Sequence, residues 1–381
     1  MKNKNKSIFI RMLVDEKKQS ITIPVLAILI GLVVGGIIIA ITGSNPFKAY
    51  YNILQGCGLA KKPTYGGKKG MITDFMEYVN YVTPMILAAL SFAVSMKAGL
   101  FNIGISGQMM AAGFISTILI GYSDLNSFIA RPLVILIGFV VGAVVGGFVG
   151  FLKYRFNINE VVSTIMINYI FRYVFTFFIN TYFVDPVSRQ SVIINPSARL
   201  SLLKVKAFGY KMTVPLGFIV AIVAAIIIFI LIEKTITGFE IKAVGLSRSA
   251  AMYSGINVGK NIILAMVISG GLAGLAGVTY HLGYVGSIQP NTLISTGFDS
   301  IAVSLLGNNN PFAIILTSFF ISGLDAGSTY MTSSSGVEFE IAKVITGIIL
   351  VFSACSSYIK LLANRKREEM SKVNILGEEI K

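Results

Sequence analysis

The chain has 381 residues, of which 54% are hydrophobic and 13% charged, and its formal net charge is +15. A soluble domain carries about 25% charged residues, so the composition excludes an ordinary soluble protein and indicates a polytopic membrane protein. Positive-inside topology explains the basic surplus without a nucleic-acid-binding face. The single histidine, His281, and the isolated Cys57 and Cys355 have no spacing typical of a metal site or a disulfide framework.

Hydrophobic runs predict an all-α fold with about ten transmembrane helices. Most runs have the roughly 20 residues that are needed to cross a bilayer. Most lysines and arginines fall in segments that become cytoplasmic if both termini are inside, as the positive-inside rule requires. The predicted spans are 21–41, 81–98, 103–122, 132–152, 161–182, 213–232, 261–281, a short eighth around Asp299, 312–330 and 339–358. The predicted organisation is a basic cytoplasmic segment at 1–20, a transmembrane domain at 21–358 and a cytoplasmic tail at 359–381.

Two long polar segments between spans, 42–80 and 184–212, are predicted to be external loops. The joint KAGLFNIGISGQ between the second and third spans is too short and too apolar to be another such loop. Its glycines permit non-helical backbone, and Asn102, Ser106 and Gln108 offer hydrogen-bonding groups within the membrane. Irregular backbone at that depth is tolerated only where it is buried in protein or lines a wet cavity. Polar helix packing and a lining of the substrate path therefore both stay open.

Two predicted spans carry glycines spaced for close helix packing. Small residues on one face let helix backbones approach each other in lipid. We therefore expect these two spans to pack closely against other helices, and we assign no chemistry to the glycines. They are Gly138, Gly142, Gly146 and Gly150 in the fourth span, and Gly270, Gly274 and Gly277 in the seventh.

The fifth span begins in NINEVVSTIMINYI, where Asn159 can cap the helix. Asn168 and Arg172 are four residues apart and share a face. Charged groups at membrane depth usually face the bundle interior or a pathway. We therefore predict that Arg172 pairs with Asp299 of the eighth span. The alternatives are that Asp299 faces water in the path and that Arg172 pairs with Asp325.

The segment 233–260 is strongly polar between two apolar spans and is predicted to be cytoplasmic. Ser247 can cap a short helix over about 248–254, and Gly255 can end it. A helix of two turns is not stable alone in water, so other parts of a protein must hold it. It is either a plain connecting loop or a docking helix whose small residues, Ala250 and Ala251, let a partner approach.

The stretch GFEIKAVGLSRSAAMYSGI resembles the cytoplasmic coupling loop of ABC importer permeases related to branched-chain amino acid and simple-sugar systems. The resemblance is greatest to permeases of nucleoside importers that work with a lipoprotein receptor. FNIGISGQ, NEVVSTIMINY and GFDSIAVSLLG also resemble runs of this family, and the similarity extends over about 45–358. Ser106 stands where the family commonly has Glu, so no role that requires a carboxylate is expected there.

The resemblance implies a permease subunit that passes nucleosides from a surface receptor to the cytoplasm by alternating access. Simple sugars or branched-chain amino acids are alternative solutes, and an ion-coupled secondary transporter is a rival class. The chain has no GxxxxGK[ST] motif, so ATP and Mg would bind a partner ATPase, and this chain is expected to be no enzyme and to bind no cofactor. The other implied partners are an extracellular substrate-binding lipoprotein and a second permease, related to this chain but different from it.

These considerations assign two sets of residues. The residues assigned to the substrate path are Asn102, Ser106, Gln108, Asn168, Arg172 and Asp299. The residues assigned to contact with the ATPase are Glu240, Lys242, Gly245, Arg248, Ala250, Ala251, Tyr253 and Gly255. His281, at the end of the seventh span, is interpreted as an interfacial residue.

Overall fold

A computed structural model describes residues 16–63, 70–207 and 210–355, which are mostly helical. The predictions for most of segment 1–20 and for the tail 359–381 lie outside the described residues. The helices are α1 (Glu16–Ile41), α2 (Pro46–Gly56), α3 (Met71–Lys97), α4 (Ile105–Ser116), α5 (Ser127–Phe156), α6 (Glu160–Phe178), α7 (Leu216–Lys234), α8 (Ile236–Leu246), α9 (Arg248–Tyr253), α10 (Val258–Val278), α11 (Ser295–Leu306), α12 (Pro311–Ser335) and α13 (Phe339–Ala354). Three of these helices are each followed directly by a π-helical segment. These segments are Thr117–Gly121 after α4, Ile179–Phe183 after α6 and Thr279–Val285 after α10.

Seven of the described helices are long and apolar enough to cross a membrane. They confirm a helical, multi-pass membrane protein. The seven segments are Thr22–Ile41, Met71–Lys97, Ser127–Phe156, Glu160–Phe183, Leu216–Lys234, Val258–Val285 and Pro311–Ser335. The three remaining predicted spans coincide with the shorter helical segments Ile105–Gly121, α11 and α13.

The all-α prediction missed one hairpin in the predicted external loop. Strands β1 (Ser201–Ala207) and β2 (Tyr210–Pro215) pair antiparallel, with Ser201 opposite Pro215 and a register irregularity near Leu202. Outside the lipid, a hairpin that satisfies its backbone by cross-strand hydrogen bonds is as acceptable as a helix. The other predicted external loop contains α2, and the helix of the second span begins at Met71, well before the predicted start.

The chain forms two compact units, one of residues 51–330 and the other of the residues on either side of them. In the flanking unit, α1 packs against α13. A Cβ added to Gly31 would clash with the Ile349 side chain, so this crossing depends on a glycine. The Tyr50 hydroxyl donates to the carbonyl oxygen of Leu32 at 2.5 Å.

In the 51–330 unit, α5 and α10 cross at backbone contact. A Cβ on Gly142 would lie 2.7 Å from the Gly274 Cα, and a Cβ on Gly146 would lie 2.8 Å from the Gly270 Cα. The prediction that the glycines of these two spans serve close packing is confirmed. Asn159 also caps α6 as predicted, because its Oδ1 accepts from the Val161 amide at 2.9 Å.

Candidate functional site

The π-helical continuation of α10, over 279–285, carries two of the tyrosines of the candidate site, Tyr280 and Tyr284. π-Helices are rare and often occur at functional sites. Gly286, at φ +84, ends the segment in the left-handed region. The carbonyl oxygen of Gly283 accepts from Asn80 Nδ2 at 3.3 Å and from Ser201 Oγ at 2.9 Å. Helix α3 and the hairpin therefore both hold this segment in place.

Three tyrosines and two aspartates meet beside this segment and form what we call the tyrosine–carboxylate cluster: Tyr81, Tyr280, Tyr284, Asp299 and Asp325. The Tyr81 hydroxyl donates to Asp325 Oδ2. The Tyr81 and Tyr284 rings stand edge to face with centroids 5.1 Å apart, and the Tyr280 and Tyr284 centroids are 6.2 Å apart. Both carboxylates act electrostatically on the Tyr81 hydroxyl. Tyr284 is 41% exposed, so the described part of the chain leaves one side of the cluster uncovered.

The cluster combines two kinds of binding group. Aromatic faces stack with flat rings, and ionised carboxylates accept hydrogen bonds from hydroxyl groups. Within the described residues, no three His, Cys, Asp or Glu side chains come together as a metal site. The carboxylates of the two aspartates can accept hydrogen bonds from the hydroxyl donors of a ligand whose ring stacks on the tyrosines.

Asn102 and Gln108 lie in a different environment, which we call the amide network. Asn102 Nδ2 donates to Gln108 Oε1 at 3.1 Å and to Ser269 Oγ at 2.9 Å. Asn102 Oδ1 accepts from the Gly104 amide at 3.0 Å. Asn102, Gln108 and Ser269 are fully buried. The network therefore fixes the irregular joint between α3 and α4, and its predicted place along the path stays a prediction.

Asn168 and Ser106 are also buried and bonded within the protein. Asn168 Oδ1 accepts from the Gly107 amide at 2.7 Å, and its Nδ2 donates to the Ile103 carbonyl at 3.0 Å. Ser106 Oγ donates to the Ile294 carbonyl at 2.8 Å. Both residues join the 103–107 backbone to neighbouring segments. Their predicted contact with solute stays a prediction.

Arg172 has a different partner from the predicted one. Its Nε donates to the main-chain oxygen of Asn291 at 3.0 Å and to Asn291 Oδ1 at 3.1 Å. The ion pairs that join described residues are Lys62–Asp74, Lys153–Glu160 and Lys242–Glu233. The predicted pair of Arg172 with Asp299 is not among them, because the side chain of Arg172 turns to the loop before α11. Asp299 lies in the tyrosine–carboxylate cluster instead.

The predicted short helix in segment 233–260 is confirmed as α9. Ser247 Oγ accepts from the Ala250 amide at 3.3 Å, and Gly255 follows the helix at φ +80. Arg248, Ala250, Tyr253 and Gly255 are exposed, so four of the residues assigned to the ATPase face outward. Tyr253 is 88% exposed, so the described part of the chain leaves its ring available to a partner.

Ala251 corrects the prediction of an open small-residue face. It is 3% exposed and belongs to a core cluster with Ile241, Val244, Ala98 and Leu100. A helix this short gives too little periodicity to show from sequence which alanine faces inward. Of the two alanines, only Ala250 can therefore serve as a small residue that a partner approaches.

The remaining residues assigned to the ATPase hold the coupling segment together. Glu240 Oε2 accepts from Asn261 Nδ2 at 2.9 Å, and Lys242 pairs with Glu233 at 2.9 Å. Gly245 of α8 touches the turn after α3 directly, because a Cβ placed on Gly99 would lie 3.2 Å from the Gly245 Cα. This turn leads into the amide network, so α8 and α9 are in physical contact with the interior of the bundle.

Sequence reasoning missed most of the tyrosine–carboxylate cluster. Asp325 was considered only as a partner for Arg172, and Tyr81, Tyr280 and Tyr284 were not selected. Tyrosines near the end of a span ordinarily indicate an aromatic belt at the membrane interface. No signal in the sequence shows that α3, α10 and α12 bring these side chains together.

Comparisons with known proteins agree with this architecture. Residues 75–354 match the model of a family described as branched-chain amino acid transport system, permease component. A nucleoside ABC transporter permease protein of Lactococcus lactis, NupB, is 36% identical over 91% of this chain and 94% of its own length. The guanosine ABC transporter permease protein NupP of Bacillus subtilis is 32% identical over 91% of this chain and 97% of its own.

A glucose ABC transporter permease protein of Haloferax volcanii, TsgB13, is 25% identical over 88% of each chain. No solved structure matches the chain significantly. The matched region includes the joint between α3 and α4, the coupling helices and the tyrosine–carboxylate cluster. The chain belongs to the branched-chain amino acid transport permease family and is a multi-pass ABC permease component rather than an enzyme.

Proposed function

We propose that this chain is the permease subunit of an ATP-driven importer of nucleosides. The observation that carries the substrate class is the tyrosine–carboxylate cluster, whose rings can stack on a base and whose carboxylates can accept from ribose hydroxyls. The printed names of the two relatives above 30% identity support the same class. Ten membrane spans with cytoplasmic termini complete the proposed topology.

The proposed mechanism is alternating access driven from the cytoplasmic side. A separate ATPase, which holds ATP and Mg, docks on the exposed face of α9 around Ala250 and Tyr253. When the ATPase closes on ATP, it pushes α8. The backbone contact between Gly245 and Gly99 passes this movement to the joint between α3 and α4, which the amide network holds. The packed cluster around Ala251 keeps the two coupling helices moving as one body.

The other proposed partners follow from the family. An extracellular lipoprotein would select the solute and deliver it to the outer face, and a second permease, related but different, would form the other wall of the path. Simple sugars are the second candidate, because hydroxyl recognition by carboxylates suits them too and a glucose permease is among the relatives. Branched-chain amino acids fit less well, because they have neither a flat ring to stack on the tyrosines nor hydroxyl donors for Asp299 and Asp325.

Uptake by the complete transporter in proteoliposomes tests the solute and the energy source together. We expect uridine and guanosine to enter only with ATP on the ATPase side, whereas leucine and glucose should neither enter nor compete. Uptake driven by an ion gradient without ATP would support a secondary transporter. If glucose or leucine enters the proteoliposomes and uridine and guanosine do not, the proposed substrate class is wrong.

Docking of the ATPase is tested by paired variants on α9. Ala250→Arg places a long charge on the exposed face, so solute-stimulated ATP hydrolysis and uptake should fall together while the permease inserts normally. Ala251→Arg should instead reduce the amount of folded permease, since no space exists for the side chain. Normal uptake by a well-folded Ala250→Arg variant would exclude this face as the contact.

A further inference from the structure

An open groove of about 460 Å³ lies between α7 and α10, next to the start of α8. Both long helices pack against α3 and leave the groove between them. Thr235 and Thr237, which flank the start of α8, belong to its lining. The rest of the lining is aliphatic and consists of Ile227, Ile230 and Leu231 of α7 and Leu264 and Ile268 of α10. No proposal made above uses this groove.

The groove lies in the inner half of the bilayer in the proposed topology, in which the 233–260 segment is cytoplasmic. Helix α7 ends at Lys234, so Ile227 is roughly 10 Å from the inner end of its span. Helix α10 begins at Val258, so Ile268 is roughly 15 Å from the inner end of its own span. The hydrocarbon core is about 30 Å thick. The aliphatic wall therefore faces the acyl chains of the inner leaflet.

Two lysines stand at the cytoplasmic end of the groove, one on each long helix. Lys234 follows Ile230 by four residues and Leu231 by three, so it lies on the groove face of α7. Lys260 precedes Leu264 by four residues and lies on the groove face of α10 for the same reason. Both lysines are exposed. Neither is a member of the ion pairs that join described residues.

The nearby carboxylates have other partners. Glu233 pairs with Lys242 at 2.9 Å, and Glu240 Oε2 accepts from Asn261 Nδ2 at 2.9 Å. These contacts occupy the acidic side chains that the described residues of the coupling segment contain. The end of the groove therefore combines an aliphatic wall with two positive charges, which complement an anion that carries an acyl chain.

The start of α8 is tied to this end of the groove. Thr235 Oγ1 accepts from the Gly238 amide at 3.1 Å and donates to the Leu231 carbonyl at 2.6 Å. A Cβ placed on Gly238 would lie 2.6 Å from the Ile232 Cα, so α8 begins in direct contact with the end of α7. A molecule that holds α7 and α10 together here therefore also holds the start of the coupling segment.

We propose that this groove, the α7–α10 groove, binds an anionic phospholipid of the inner leaflet. One acyl chain lies along the aliphatic wall, and the headgroup phosphate pairs with Lys234 and Lys260, as basic pockets between membrane helices do. The Thr237 hydroxyl can donate to a phosphate oxygen. The bound lipid fixes the angle at which α8 leaves the bundle and so supports coupling to the ATPase. Only this effect on transport rests on the proposed importer.

Photo-crosslinking in nanodiscs identifies the occupant of the groove. The complete transporter is placed in phosphatidylcholine that contains a trace of phosphatidylglycerol with a diazirine in one acyl chain. We expect the label on the groove-lining peptides of α7 and α10, with competition by unlabelled phosphatidylglycerol and none by phosphatidylcholine. Equal labelling by a matching phosphatidylcholine probe would overturn the proposal. Labelling confined to other helices would also overturn it, because another protein would then cover the groove.

Replacement of the two lysines tests the headgroup contact. One basic residue near an anionic lipid contributes a factor of about five in binding, so Lys234→Gln and Lys260→Gln should each lower labelling about fivefold at low probe concentration. Arg155→Gln is the matched control, because it removes an exposed cytoplasmic charge at the end of α5, outside the groove. An equal loss in Arg155→Gln would reveal general attraction to a basic surface and would refute a specific site.

A pair of tryptophan substitutions on α7 tests the acyl chain. Ile230→Trp fills the groove, so it should abolish labelling of the α10 peptide while both lysines remain. Ile226→Trp adds the same bulk at an exposed position of α7 that does not line the groove, and labelling should stay normal. If Ile230→Trp is labelled like the wild type, the chain does not lie in the groove and the proposal is wrong.

Uptake separates this inference from the proposed function. Uridine uptake by the wild type should rise with the fraction of phosphatidylglycerol, whereas the Lys234→Gln, Lys260→Gln double variant should lose this stimulation and match the wild type in phosphatidylcholine alone. Specific labelling of the groove in a transporter that carries no nucleoside would refute the proposed function alone. Nucleoside uptake that is equal in both lipids, without labelling of the groove, would refute the lipid site alone.

Discussion

The amide network and the tyrosine–carboxylate cluster are two polar regions inside one helix bundle, and they differ in how their polar atoms are used. Asn102, Gln108 and Ser269 are fully buried and bond one another. Tyr284 is 41% exposed, and the carboxylate of Asp325 is half-buried beside it. Saturated, inaccessible groups stabilise a fold, whereas accessible groups with spare acceptors can bind a solute. A polar side chain within a span can therefore either stabilise the fold or bind a solute, and its accessibility distinguishes the two roles.

The largest effect on stability should come from opening the amide network. Asn102→Leu removes the four hydrogen bonds of the Asn102 side chain and leaves Gln108 Oε1 and the Gly104 amide buried without this partner. At about 1–3 kcal/mol for each group left unsatisfied, we expect the free energy of unfolding in detergent to fall by about 3–5 kcal/mol. Thermal unfolding followed by fluorescence or scattering measures the shift.

Tyr284→Phe is the matched control for that experiment, because it also removes a polar atom from a span but at an accessible position. It should change the unfolding free energy by less than about 1 kcal/mol. If Tyr284→Phe destabilises the protein as much as Asn102→Leu, the tyrosine–carboxylate cluster stabilises the fold in the same way as the amide network.

The sequence predicted features that depend on local signals. Ser247 and Gly255 indicated the bounds of α9, and the spaced glycines indicated that two spans pack closely, although not that α5 and α10 pack against each other. It did not predict the cluster, because Tyr81 and Asp325 lie on helices far apart in sequence. It also could not decide between a packing role and a path role for Asn102, since polarity at membrane depth is visible in sequence and burial is not. The interpretation of His281 as an interfacial residue is wrong for this reason, because the residue is 4% exposed. The inward direction of Ala251 depends on tertiary packing for the same reason.

Transport should respond most to Asp325→Asn within the cluster. The change keeps the shape of the side chain but removes the charge that strengthens hydrogen bonds from hydroxyl donors. A hydrogen bond to a charged group contributes about 1.5–3 kcal/mol, so the KM for uridine uptake should rise about ten- to a hundredfold. Asp124→Asn, at an exposed position outside the cluster, should leave the KM unchanged. An unchanged KM in Asp325→Asn would remove this residue from the path.

Cysteine accessibility can compare the two regions directly. Tyr284→Cys should react rapidly with a water-soluble thiol reagent and Gln108→Cys slowly in the resting transporter. The native background is small once Cys355 is replaced, because burial raises the pKa of Cys57 to about 12 and keeps its thiol protonated. Rapid labelling of Gln108→Cys only during ATP turnover would show that the amide network opens in the cycle, as the sequence-based path prediction requires.

The smallest expected effect concerns Arg172, which donates to Asn291 in the loop before α11. Asn291 adopts φ +58, so Asn291→Gly removes the Oδ1 acceptor without forcing a branched side chain into a left-handed conformation. A double-mutant cycle with Arg172→Met should give a coupling free energy of about 0.5–1.5 kcal/mol, since the main-chain oxygen of residue 291 remains as an acceptor. The parallel cycle of Arg172→Met with Asp299→Leu should be additive in detergent, because Arg172 donates to the loop before α11 and Asp299 lies in the cluster. Recovery of stability in the Arg172→Met, Asp299→Leu double variant would instead establish the ion pair that the sequence predicted, and would place Arg172 beside the substrate path.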